Sequence, residues 1–200
     1  MVQNSPEEAM SQAAASQPVL FVYVDNSNLW IEGQRLSAVK KGLATDVNDA
    51  TKRKTFDNTW RCDFGQLYKI ACPDNARIGR SKLWGSRPPD DDSVWNMAKK
   101  EGFQVEVFDR NAGNKEKKVD TAITAFMIDD LHEFMKPDRG DIAVLVGGDG
   151  DFVPAFEILK NKGISVEIVF WEHGLSKELR DKADRHVSLN PHFELLSRVS

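Results

Sequence analysis

Short apolar runs rich in β-branched and aromatic residues alternate along this chain with segments whose apolar positions recur every three or four residues. Val19–Val24, Phe103–Phe108, Ile142–Val146 and Ile164–Phe170 read as strands, and so does the more polar Arg77–Trp84. The first, Val-Leu-Phe-Val-Tyr-Val, has no polar alternation, the pattern of a strand covered on both faces. Between the runs, Phe64, Leu67, Tyr68 and Ala71 form a helical stripe behind a capping Asp63 and before Pro73. Val94, Trp95, Met97 and Ala98 form another, ended by Gly102. Asp90, Asp91 and Asp92 precede it, where a helix N-terminus favours negative charge. A longer stripe of Val119, Ile123, Phe126, Met127, Leu131 and Phe134 places one buried face on a helix that starts near Asp120. Phe152–Lys162 is a helix stopped by Gly163, a suitable residue just past a helix end. Leu175–Ala183 is a last helix with Ser176 as its cap, and Phe193–Leu196 reads as a short edge element. Strands alternating with helices predict a three-layer α/β/α sandwich around a mainly parallel, doubly wound sheet of about five strands.

Two regions depart from this rhythm. After a short apolar helix start at Leu29-Trp30-Ile31, the periodicity fades from Gly33 to Trp60, and Lys40, Lys41, Lys52, Arg53 and Lys54 stand among small and polar residues. This stretch, about 33–60, predicts a long basic connection or insertion. Residues 1–17 are rich in Ala, Ser and Gln with Glu7 and Glu8 the only charges, and predict a disordered tail ahead of one domain over 18–200.

Charge changes this picture less than it first promises. Lys plus Arg number 27 against 31 Asp plus Glu, a net charge of −4 that argues against a polyanionic partner. Four aspartates gathered around divalent ions would cancel that balance and reverse its sign where a substrate binds. Cys62 and Cys72 lack any zinc-site spacing and read as reduced packing residues. The first 18 residues have no basic start followed by an apolar core, and no apolar run approaches membrane-spanning length. A cytoplasmic location without membrane association is the expectation, and oligomeric state stays open.

The candidate chemistry lies at strand ends. Asp25 closes the first strand and Asp149 follows the fourth, within Gly147-Gly148-Asp149-Gly150-Asp151-Phe152. If those strands are neighbours at the switch point of a doubly wound sheet, both side chains open into one crevice. Asp151 lies two residues on, and Asp120, in the first turn of the preceding helix, can be brought over the same edge. A pair of carboxylates about 4 Å apart repels by roughly 4 kcal/mol at an effective dielectric near 20. A hard divalent cation removes that conflict, and oxygen-only ligands favour Mg2+ or Mn2+ over zinc. Such a site suits phosphodiester hydrolysis without a protein nucleophile. Taken alone, Asp149 and Asp151 serve equally well as a helix cap and a turn residue.

The motifs Val24-Asp25-Asn26-Ser27-Asn28, Lys118-Val119-Asp120, Gly148-Asp149-Gly150-Asp151-Phe152 and Ser176…Leu179…Ala183-Asp184 occur in an order that resembles NYN domains, also known as the LabA or DUF88 family. These are similar to PIN-domain nucleases, and the resemblance spans roughly residues 19–196. It implies a PIN-like fold, metal-dependent ribonuclease activity and an acidic cluster of Asp25, Asp120, Asp149 and Asp151. The assignment of Asp120 rests on the resemblance. Asn28 would support Asp25 or a metal-bound water. Gly147 stands where many members have Ser or Thr, and the 33–60 stretch is longer than the family pattern.

For the RNA itself, the loop residues Arg110, Lys115, Lys117 and Lys118 could grip phosphates beside Asp120. Trp84, at the end of the second strand, could stack a base, although packing is the commoner use of such a residue. Asp184 is read as structural. Alternatives to the nuclease are a non-catalytic RNA- or protein-binding module of the same fold, or a metal-dependent phosphatase. The last is disfavoured because Ser27 stands where a phosphoaspartate chemistry would want a second acid.

Overall fold

The structure, a computed structural model, describes residues 17–87, 93–109 and 117–198. Its strands are β1 (Val19–Asp25), β2 (Arg77–Arg87), β3 (Gln104–Asp109), β4 (Ile142–Val146), β5 (Ser165–Phe170) and β6 (Arg185–Ser188). The helices are α1 (Asn26–Lys40), α2 (Val47–Arg53), α3 (Phe64–Ala71), α4 (Ser93–Lys100), α5 (Lys117–Glu133), α6 (Val153–Asn161), α7 (Lys177–Lys182) and α8 (Phe193–Leu196). All strand pairs are parallel, in the order β3-β2-β1-β4-β5-β6. β1 and β4 are therefore central neighbours, and the chain reverses its winding direction between them.

Alternation along β2 sorts the helices onto two faces. Trp84 stacks on Tyr23 with ring centroids 6.2 Å apart and meets Phe126 of α5 edge-on at 5.3 Å. Its neighbour Gly85 points the other way, against Trp95 of α4. Helices α5 and α6 thus pack together on one face, while α3, α4 and α8 cover the other. The core between them is continuous, with Val22, Tyr23, Val24, Leu83, Leu145 and Val146 fully enclosed.

Three features differ from the sequence reading. β6 adds a sixth strand at the edge; its four residues are half-exposed, and a single apolar residue, Val187, gives no periodic signal. Phe193–Leu196, read as a short edge element, is a helical turn that buries Phe193 and Leu196. The 33–60 stretch is no loose insertion: α1 runs through Gly33 to Lys40, and α2 follows behind an Asp46 cap. The periodicity fades there because the buried face of α1 includes Asn26, Glu32, Gly33 and Ser37. Gly33 makes room for Trp60, whose ring would lie 2.4 Å from an added Cβ. Asp57 then fastens the connection to α1, accepting from Ser37 Oγ at 2.6 Å and pairing with Lys41 at 2.7 Å. Of the predicted tail, residues 1–16 lie outside the described residues, as do Asp90, Asp91 and Asp92. The predicted caps Asp63 and Ser176 both accept from their helices' first-turn amides.

The start of β1 hangs on one fully buried carboxylate. Asp141 accepts from Val19 N at 3.0 Å and Lys136 N at 2.8 Å, and takes a two-pronged contact from Arg139 at 2.6 Å on each oxygen. Removing it strands buried donors, each costly to leave unpaired. Asp141→Ala is expected to lower unfolding stability by about 3 kcal/mol, read as an earlier midpoint in urea with an unchanged slope.

Candidate active site

Asp25 is the last residue of β1 and the N-cap of α1, its carboxylate accepting from Asn28 N at 3.0 Å. In the sheet it sits beside Trp84 of β2, one step beyond the Val24–Val146 pair that joins β1 to β4. This register brings the loop after β4 alongside it. Asn28 couples the two, because its Oδ1 accepts from Gly148 N at 2.9 Å. Gly148 has no room for a side chain: an added Cβ would lie 2.4 Å from the Gly174 carbonyl oxygen and from the Phe170 ring. From the far side, Ser176 N donates to Gly148 O at 2.8 Å, and Ser176 Oγ accepts from Leu179 N at 3.2 Å to cap α7.

Asp149 caps the short turn Gly150–Phe152, accepting from Asp151 N at 3.1 Å. Capping and membership of the site coexist in this residue. Asp25, Asp120 and Asp149 line one cleft of about 100 Å³ together with Ser27, Asn28, Ile31 and Val119. The exposed Asp151 is not part of its lining. The predicted cluster thus brings three of its four aspartates to one cavity. The Asn28 backbone amide holds the Asp25 carboxylate, and the Asn28 side chain holds the opposite loop.

The electrostatics are resolved at Asp25. Burial pushes the Asp25 carboxyl up to about 7, with Asp120 and Asp149 adding to the rise, against the opposing pull of the Asn28 and Ser27 amides. Among the described residues, no group of three or more His, Cys, Asp or Glu is gathered tightly enough to hold a metal ion as placed. The three carboxylates share a cavity without converging on one point. An all-oxygen donor set with a carboxyl that resists ionisation nevertheless has the chemistry of a hard-cation site. At Gly147, an added Cβ would meet Asp25 Cβ at 3.5 Å and Leu145 at 3.4 Å, ordinary contact distances. The absence of a hydroxyl there is a choice of side chain and not a steric demand.

Other sequence candidates fare differently. Trp84 is fully buried between Tyr23 and Phe126, so it packs in the core and, contrary to the expectation of base stacking, offers no face to a base. Lys118 is exposed on the first turn of α5. Arg110 and Lys115 lie outside the described residues, and of Lys117 only the backbone is described. Asp184 accepts from Val166 N at 2.8 Å and Lys160 Nζ at 2.6 Å, the structural role expected of it. Cys62 and Cys72 are buried free thiols, both pushed up by burial. No helix among the described residues is long and apolar enough to cross a membrane.

Sequence reasoning missed two supports. One is Ser176 as a brace for the Gly148 loop. The other is Glu32, buried one turn beyond Asn28, which pairs with Arg35 and lies 3.4 Å from His173 beside Gly174. The signal for Glu32 was available: it lies four residues after Asn28, on the same face of α1.

Residues 22–190 match the NYN domain family, whose domain has a PIN-like nuclease fold. The low amplitude and bright protein LabA of Synechococcus elongatus is 31% identical over 88 residues, which are 42% of this chain and 44% of that protein. The match thus spans less than half of that relative's length. Among solved structures, a protein of unknown function from Vibrio parahaemolyticus shares the fold with a TM-score of 0.65 at 18% identity, covering 92% of this chain and 98% of its own. With a match that covers most of its length and a parallel sheet carrying aspartates at its switch point, this chain belongs to the NYN domain family.

Proposed function

We propose that this protein is a divalent-metal-dependent ribonuclease that hydrolyses phosphodiester bonds in single-stranded or structured RNA at the cleft of Asp25, Asp120 and Asp149. The observation that carries the reading is the sharing of one cavity by these three carboxylates, with burial pushing the Asp25 carboxyl up to about 7. Those three residues would hold Mg2+ or Mn2+, the ions that an oxygen-only set favours. When bound, such an ion supplies Lewis-acid stabilisation of the charge that develops on the phosphoryl oxygens. The chain's own part is positional. Asn28 sets the distance between the β1 end and the Gly148 loop, and the α1 amides fix the rotamer of Asp25. Asp151, on the exposed side of the same turn, would act through water or a second ion. Its neighbour Asp149 is held in place by the Asp151 amide.

A second reading is an RNA- or protein-binding module without catalysis, since among the described residues the candidate ligands are not tightly gathered. Cleavage separates the two. Asp149→Asn keeps a side chain that can cap the Gly150–Phe152 turn, so circular dichroism should be unchanged. Its cleavage of single-stranded RNA in Mg2+ or Mn2+ should fall by a factor of about 100 or more. Equal cleavage by wild type and variant, or full wild-type activity in excess chelator, would overturn the proposal. Binding that persists with no cleavage by wild type across metals and RNA substrates would favour the module.

The raised Asp25 carboxyl makes a separate prediction about stability. Burial raises it to about 7, above the ordinary aspartate value of about 3.9, so the folded protein binds the extra proton. The resulting penalty is absent below about pH 4 and grows through the interval up to about 7. Above that it is complete. Asp25→Asn removes the penalty and keeps an oxygen for the Asn28 amide. In metal-free buffer at pH 8 the variant should therefore melt a few degrees higher than wild type, with the gap closing towards pH 4, while losing cleavage. An equal melting difference at both pH values would show that Asp25 carries no such charge penalty.

A further inference from the structure

Beside the acidic cleft lies a second cavity of different chemistry. It is a groove of about 490 Å³, and Ser27 and Ile31 line both it and the cleft. The volume falls in the range of small-ligand sites. Its walls are Asn26, Trp30, Gln34, Asn58, Arg61 and Trp95, with no acidic residue among the described lining and Arg61 the single charge.

Two observations set this groove apart. Asn26 is 6% exposed and Trp95 3%, yet Asn26 Oδ1 and Trp95 Nε1 have no hydrogen-bond partner among the described residues. Buried polar atoms are seldom left unpaired. One is an acceptor and the other a donor, a mixture that suits the edge of a nucleobase; a phosphate has only acceptors. The second observation is a prepared stacking surface. Trp30 is half-buried, with Trp60 edge-on at 5.8 Å and Phe64 at 6.5 Å behind it. The exposed Arg61 guanidinium lies 5.7 Å from the centre of the Trp30 ring. It is fixed there by donating to the carbonyls of Asn58 at 2.7 Å and Trp60 at 2.9 Å. Gly85 allows this wall to close, since a Cβ on it would come 2.3 Å from the Trp95 ring.

We propose that this groove is a nucleobase subsite for single-stranded RNA. It holds one base against Trp30 and Arg61 with its edge towards Asn26 and Trp95, while the adjoining phosphate lies over the acidic cleft. Unpaired bases stack on aromatic and guanidinium planes in this way, whereas duplexed bases are not free to enter. The proposal rests on the nuclease reading of the neighbouring cleft for its direction, and on the groove's own residues for its chemistry.

The test measures binding apart from cleavage. Fluorescence anisotropy with the full chain carrying Asp149→Asn, in magnesium, compares a labelled single-stranded RNA hexamer with a matched hexamer that keeps every phosphate but lacks all bases. The intact hexamer should bind at least about tenfold tighter, the size of one stacked base. Arg61→Ala, an exposed change that leaves the core untouched, should erase most of that advantage without weakening the abasic hexamer. Trp30→Ala should do the same, with its fold checked by circular dichroism. Equal binding of the two hexamers, equal weakening of both by Arg61→Ala, or no binding of either would overturn the proposal. Base-dependent binding by a wild-type chain that cleaves no RNA would sink the nuclease reading and leave the groove standing. Cleavage accompanied by base-independent binding would sink the groove alone.

Discussion

A carboxyl group placed at the end of the most enclosed strand, with two further aspartates in the same small cavity, is held there against its own electrostatics. Desolvation and like charge both favour the neutral form of Asp25. The opposing forces are local and directional: the amides of Asn28 and Ser27 in the first turn of α1. Nothing in the packing of the sheet needs an acid at this position. An asparagine would satisfy the same helix cap, so the cap alone does not account for the unfavourable charge; under the proposed function a bound cation would relieve it.

Around that charge the fold supplies rigidity. The Gly148 backbone is gripped on its amide side by Asn28 and on its carbonyl side by Ser176, and its Cα is pressed against Phe170 and Gly174. Trp171 Nε1 donates to Leu29 O at 3.0 Å, tying the end of β5 to α1. Every one of these contacts joins residues more than twenty positions apart, so the loop geometry is a product of the whole sheet edge. The arrangement of donors fixes the loop at this edge.

Helix α1 divides the region in two. Asn28 and Glu32 share one face and look towards the β4 and β5 loops. Asn26, Trp30 and Gln34, each four apart, form the wall of the larger groove. Ser27 and Ile31 lie between and touch both cavities. One helix thus serves an acidic pocket and an aromatic, cation-bearing pocket with successive residues. That is why its hydrophobic periodicity is weak and why polar residues occupy positions a packing helix would fill with leucine.

Much of this was legible in the sequence. Unbroken runs without polar alternation, rich in β-branched residues, at Val19–Val24 and Ile142–Val146 demanded strands covered on both faces, and the three- and four-residue spacing from Val119 to Phe134 demanded a helix. Asp and Gly at the strand ends marked the functional edge. These signals are local, since propensity, capping and periodicity act within a few residues. Long-range facts were out of their reach. The burial of Trp84 against Tyr23 and Phe126, the folding of the 33–60 stretch onto α1, the short β6 strand and the exclusion of Asp151 from the cleft depend on which segments become neighbours. The sequence by itself determined that aspartates would stand at the ends of parallel strands. Only the tertiary structure decided that Asp25, Asp120 and Asp149 share a cavity and that an aromatic groove opens beside it, because strand order and register are set by packing between elements far apart in the chain.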